Sequence, residues 1–122
     1  MENKYSPKIQ NEINQILKNL EIWKNQFSFE ISYYFEGWAI NLTEKNIYPR
    51  LIVIFSPYNK ESYSIRSFEI HYDENKKESY KELYINDNLD NIVDLLKEIN
   101  EIIYGKDLIN SISKEYNKIK SR

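Results

Sequence analysis

The chain has 122 residues, with 17 Lys+Arg against 19 Asp+Glu, one His, two Gly, three Pro and no Cys. That length supports a single domain, and the missing cysteines exclude a disulfide scaffold, a thiol nucleophile and every Cys-based zinc or iron–sulfur site. Ile, Leu, Val and Phe make up about 29% of the residues, above the roughly 20% below which chains tend to stay disordered, so a folded core is expected despite a mean hydropathy of −0.71.

Ser6-Pro7 is the pattern of an N-cap followed by a first-turn proline. Ile9, Ile13, Ile16, Leu17, Leu20 and Trp23 then recur at helical spacing and predict an amphipathic helix over about residues 7–25. The period next drops to two. Phe27, Phe29, Ile31, Tyr33 and Phe35 alternate with Ser28, Glu30, Ser32, Tyr34 and Glu36, the pattern of a half-buried strand. Glu36-Gly37 offers a turn or bulge, and Trp38, Ile40 and Leu42 continue the alternation in a second strand. After a loop from Thr43 to Pro49, the run Leu51-Ile52-Val53-Ile54-Phe55 reads as a strand covered on both faces.

A fourth strand is expected from about Tyr63 to Tyr72, with a bulge near Arg66-Ser67 because Ile65 is out of phase with Phe68, Ile70 and Tyr72. A polar turn over Asp73 to Glu78 leads to a shorter fifth strand, Tyr80 to Ile85. Asp87 then reads as the cap of a second helix, with Asp90 in its first turn, where the dipole favours a carboxylate. Leu89, Ile92, Val93, Leu96, Ile99 and Ile103 supply that helix's apolar stripe, with Asp94, Glu98 and Glu101 off it, and Leu96→Ala is expected to open a costly cavity. Gly105 is placed as its C′ residue. A last helix over about residues 107–120 carries Leu108, Ile109, Ile112, Tyr116 and Ile119 on one face. The expected fold is a single α+β domain over residues 1–122, in the order α-β-β-β-β-β-α-α, with a mostly antiparallel four- to five-stranded sheet packed against helices.

Chemistry is scarce. The sole histidine, His71, shares a strand face with Glu69 and Asp73, a ladder that could hold a divalent metal or orient an imidazole base; a solvated outer strand face explains it equally. Two glycines cannot build a dinucleotide fingerprint or a phosphate-cradling loop, and no serine sits in a Gly-flanked elbow. Glu30 and Glu69 would face each other across strands, but acidic residues on an exposed sheet need no catalytic role. No cofactor, resident metal or catalytic residue is therefore expected, and the chain reads as a non-enzyme.

The helix–strands–helix order is similar to that of the double-stranded RNA-binding domain, whose second helix begins with phosphate-gripping lysines. Here the matching segment is Asn86-Asp87-Asn88-Leu89-Asp90, which would repel phosphate. Lys106, Lys114, Lys118, Lys120 and Arg122 make only the last helix basic, and the sequence argues against nucleic acid. No apolar run approaches the roughly 18 residues of a membrane span and MENKYSPK has no apolar leader, so a cytoplasmic protein is expected, with no membrane partner.

A recognition surface remains. Residues 69–101 carry ten acidic against four basic side chains, the strongest local field in the chain. Tyr34 is expected outward, opposite to Tyr33, and Tyr48 and Tyr58 fall in loops beside prolines. The bias toward Asn, Ile, Lys and Tyr also has a codon-composition reading, which weakens the tyrosine argument. If every helix lies on one sheet face, the Leu51–Phe55 run would show apolar side chains on the other, near Glu30, Glu69 and Glu82, as an apolar centre with an acidic rim. The expected function is a small non-catalytic inhibitor that occludes a partner protein, such as a toxin or a defence nuclease, in the manner of immunity proteins and phage anti-defence or anti-CRISPR proteins. Its binding residues would be Glu30, Tyr34, Glu69, His71, Asp87, Asp90, Asp94, Glu98 and Glu101. The alternatives are a secretion-type chaperone that binds an extended segment, for which a homodimer is expected, and a small-ligand or metal-binding module around His71.

Overall fold

Helical spacing at both ends of the chain and strand alternation between them give the order α1 (Pro7–Leu20), β1 (Phe27–Tyr34), β2 (Gly37–Glu44), β3 (Arg50–Phe55), β4 (Tyr63–Tyr72), β5 (Glu78–Leu89), α2 (Ile92–Ile103) and α3 (Lys106–Lys120). The computed structural model describes residues 7–34, 37–46, 49–57 and 62–120, without the side chains of Tyr34 and Lys120. The expected Ser6 cap and the loop residues Tyr48 and Tyr58 lie outside the described residues, as do Phe35 and Glu36. The first helix is shorter than its apolar spacing predicts: α1 stops at Leu20, and a single 3₁₀ turn, Glu21–Trp23, carries Trp23.

The five strands form one antiparallel meander in the order β1-β2-β3-β4-β5, so the α+β expectation holds. Register fixes the two faces. Ile31–Ile40–Ile54–Ile65–Asn86 and Phe29–Leu42–Ile52–Ser67–Tyr84 are successive rows on the inner face. Most of these side chains join Ile13, Ile16 and Leu20 of α1 and Leu95, Ile99 and Ile102 of α2 in the main core. The outer rows are Glu30–Asn41–Val53–Arg66–Ile85 and Ser28–Thr43–Leu51–Phe68–Glu82. Leu51, Val53 and Phe55 are half-buried there, whereas Ile52 and Ile54 of the same strand are fully buried. The continuous apolar run is thus half covered rather than enclosed on both sides. Gly37 lies close to β3: an added Cβ there would displace Ser56 Oγ, which accepts the Trp38 N–H at 2.9 Å.

Three expectations need correction. The irregularity near Arg66-Ser67 is real, but the extra residue belongs to β5. Ser67 pairs with Tyr84 and Phe68 with Glu82, leaving Leu83 without an opposite number. In β4 itself Ile65 and Phe68 differ in phase because they serve opposite faces. Second, β5 is twice the expected length and runs through Asp87 to Leu89, which pairs with Tyr63. Asp87 therefore caps nothing; Asn91 is the N-cap of α2 and accepts the Asp94 N–H at 2.9 Å. Third, the buried stripe of α2 is Leu95, Glu98, Ile99, Ile102 and Ile103, while Val93 points to solvent. Gly105 does end α2 in the left-handed region, at φ 111°.

Candidate functional site

Arg50, at the start of β3, makes five hydrogen bonds, the most of any side chain described. Its Nε and Nη2 reach the two oxygens of Glu44 at 2.9 and 3.0 Å. Nη1 donates to Asp107 Oδ1 at 2.9 Å and to the Ile102 carbonyl at 2.8 Å, and Nη2 donates to the Ile103 carbonyl at 3.1 Å. A guanidinium has five N–H donors, and five acceptors meet them here. Arg50 and Asp107 are 5% and 0% exposed. Burial disfavours the cation, but Glu44 and Asp107 outweigh it and hold the Arg50 pKa above its ordinary value. The cluster binds the end of β2, the end of α2 and the start of α3 together and has no donor left for a ligand. Nothing in the sequence marks Arg50 except its place before an apolar run.

A second buried cluster centres on Glu98, which accepts from Tyr84 Oη at 3.1 Å, from Asn86 Nδ2 and from Lys106 Nζ. Burial opposes ionisation of this carboxyl, yet the hydrogen bonds from Lys106 and Asn86 prevail and its pKa lies below the ordinary carboxylate value. Lys106 is correspondingly raised, by its hydrogen bond to Glu98 first. Glu98 is thus an inward-facing residue, not part of an exposed acidic surface.

The remaining candidates scatter. His71 Nε2 lies 3.1 Å from Glu69 Oε1, as strand spacing predicts. Asp73 instead turns into the β4–β5 connection, where its Oδ1 accepts the N–H groups of Asn75 and Lys77 at 2.8 Å each. No group of three metal-ligating side chains exists among the described residues. Glu30 and Glu69 do not face each other: Glu30 is on the outer face of β1, three strands from Glu69, which stands in the inner-face register opposite Arg50. Asp87 accepts from Ser64 and lies 3.9 Å from Arg66 on the outer face. Asp90 accepts from Ser62 Oγ at 3.0 Å, and Asp94 is held in the first turn of α2 by Asn91. Glu101 pairs with Lys106 at 3.2 Å, near the opposite end of α2. The acids of residues 87–101 consequently form no single surface.

Two further features bear on binding. A groove of about 550 Å³ runs between α1 and the start of α2, lined by Lys8, Asn11, Glu12, Gln15, Tyr63 and Asp90 among others. Its polar centre is a Tyr63–Glu12 hydrogen bond, and burial followed by that carboxylate raises the phenol's pKa. Tyr63 and His71 stand at opposite ends of β4, roughly 26 Å apart along the strand. The groove therefore does not serve a His71 site.

The second feature is the outer sheet face. Leu51, Val53, Phe55 and Phe68 are half-buried at its centre, and Ile85, Tyr80 and Tyr72 are more exposed toward the β5 side. Phe68 meets Tyr80 edge-on at 6.3 Å, and the Arg66 guanidinium lies over the Phe55 ring at 5.8 Å. Glu30, Glu82 and Asp87 stand around this centre, and Arg66, in register between Val53 and Ile85, places one positive charge within it. Of the residues expected to bind a partner, Glu30 and Asp87 belong to this face. The signal for the rest of it lay in the Leu51–Phe55 run. No helix among the described residues is long and apolar enough to cross a membrane. No family model, no curated protein and no solved structure matches the chain, so the reading of this face rests on its geometry.

Proposed function

We propose that this chain is a non-catalytic protein that binds a partner protein through the outer face of its sheet and inhibits it by covering the partner's functional surface. This is the mode of toxin-neutralising immunity proteins and of phage anti-defence inhibitors. The observation that carries the reading is the row Leu51, Val53 and Phe55, apolar and half-buried on the face opposite α1 and α2, with Glu30, Glu82 and Asp87 around it. An apolar centre holds a complex, and an acidic rim steers it toward a basic surface such as the nucleic-acid site of a nuclease. Support also comes from the polar clusters around Arg50 and Glu98, whose cationic donors are taken up by acceptors of the fold.

The test is capture of a partner from the native host by the full chain and by two variants. Val53→Lys is expected to lower affinity about tenfold or more, since a charge is placed at the apolar centre. Glu82→Lys is expected to slow association and weaken its salt dependence, with little effect on dissociation. Both variants should keep the parent's melting curve. A partner held equally well by all three chains would remove this face from the binding site.

A further inference from the structure

β1 is an end strand: it pairs with β2 on one side, and no described strand lies on the other. Two hydrogen bonds fix which of its backbone groups are left over. The Lys45 N–H donates to the Gln26 carbonyl at 2.8 Å, and the Ser56 N–H donates to the Trp38 carbonyl at 3.0 Å. Antiparallel ladders alternate bonded and non-bonded pairs. Followed along the register, both bonds make Ser28–Thr43, Glu30–Asn41 and Ser32–Ala39 the bonded pairs of β1 and β2. The N–H and C=O groups of Phe27, Phe29 and Ile31 therefore point out of the sheet along its open edge.

This edge lacks the devices that keep edge strands single. β1 runs for 8 residues without a proline, a lysine or a register shift, and Glu30 is its one charge. The opposite edge is managed: β5 bears Lys81 and a bulge at Leu83, and α3 packs against it, with Lys106 over the Tyr84 ring at 5.5 Å. The inner margin beside the open edge is apolar. Phe29 and Ile31 are half-buried there. So is Leu17, which lies on the β1 side of α1 because Asn19 and Glu12 turn the other side toward Asn100 and Tyr63.

We infer that the open edge of β1 pairs with β1 of a second copy, antiparallel about a two-fold axis at Ile31. Self-complementarity of the strand names the occupant. Axes at Glu30 or Ile31 give the longest overlap of the two strands, residues 27–33 or 28–34 of each copy. An axis at Glu30 sets two carboxylates against each other, which is unfavourable. An axis at Ile31 sets Ile31 against Ile31 and Phe29 against Tyr33 on the inner face, and Glu30 against the Ser32 hydroxyl on the outer face. Its bonded pairs join the residues whose backbone groups point outward, with about six hydrogen bonds between the copies. The two-fold closes the assembly as a dimer, in one sheet with five strands from each copy. Both outer faces stay open on one side of that sheet, so the dimer does not depend on the inhibitor reading.

Sedimentation equilibrium of the purified full chain, with no foreign partner present, tests the pairing. The chain is expected to approach twice the monomer mass as its concentration rises. Ser32→Lys sets an ammonium opposite Glu30 of the other copy and should tighten the dimer about threefold, whereas Ser32→Glu should loosen it about threefold or more. Adding Glu30→Lys to Ser32→Glu makes the facing charges opposite again and should recover the dimer. Circular dichroism is expected to show each variant still folded. Ile31→Pro removes an N–H that the β1–β2 ladder does not use, so it should abolish the dimer and leave a folded monomer; the Ser32 variants decide the matter if that proline disturbs folding. A full chain that stays monomeric at every concentration overturns the proposal. So does a dimer that a folded Ile31→Pro chain still forms, or one of equal affinity in Ser32→Lys and Ser32→Glu.

Discussion

Glu98 shows how one side chain resists reading from sequence. It sits three residues after Leu95 and one before Ile99, inside the buried stripe of α2, and its charge alone assigns it to the polar side. What reverses the assignment is Lys106, eight residues on and in another helix, together with Tyr84 and Asn86 of β5. None of these is local to Glu98. The consequence is measurable as a pH dependence. The carboxyl's pKa is lowered in the folded chain, so the unfolded chain takes up the proton first as the medium is acidified. Its contribution to stability is then complete above the ordinary glutamate value of about 4.3 and is lost as pH falls through the lower folded value. Glu98→Gln should be less stable than the parent at pH 7 and should lose less stability between pH 5 and 3, as followed by urea unfolding at each pH. Parallel curves for the two chains across that window would contradict the assignment. Arg50 is illegible for a similar reason: its partners Glu44 and Asp107 are six and fifty-seven residues away.

Elements were better foretold in kind than in phase. All five strands and three helices occur in the order that periodicity indicates, because each apolar repeat spans enough residues to distinguish 3.6 from 2. Errors concentrate between β5 and α2. Asn86-Asp87-Asn88 has the composition of a cap and turn, yet these residues continue β5 because β4 supplies a paired edge beside them. The helix then begins at Ile92, and its buried face is rotated relative to the expected stripe, keeping Ile99 and Ile103 but exchanging Val93 and Leu96 for Leu95 and Ile102. Three leucine and valine positions resolve the rotation. Leu95 is fully buried and Leu95→Ala should cost roughly 2–5 kcal/mol by leaving a cavity. Leu96 is half-buried and its alanine variant should cost visibly less, and Val93→Ala should stay within about 0.5 kcal/mol of the parent. Thermal or urea unfolding orders the three; a larger loss at Leu96 than at Leu95 would restore the sequence phase.

At the scale of the molecule, the question is how much of the chain the fold of one copy uses. Pairing fixes the sheet, α1 and α2 close its inner face, and the Arg50 cluster locks the first turn of α3 to that body. Beyond Ser111 the helix contributes no buried side chain among the described residues. Its apolar repeat was legible, whereas its direction was not, since a stripe has the same spacing whether its partner is the same chain or another. A chain that ends at Ser111 separates the two. It keeps Asp107, Asn110 and Ser111, hence every described burial that α3 gives to its own body. Its urea-unfolding free energy should match the full chain's within about 0.5 kcal/mol. A shortened chain that is clearly less stable would place the second half of α3 within the single-copy fold.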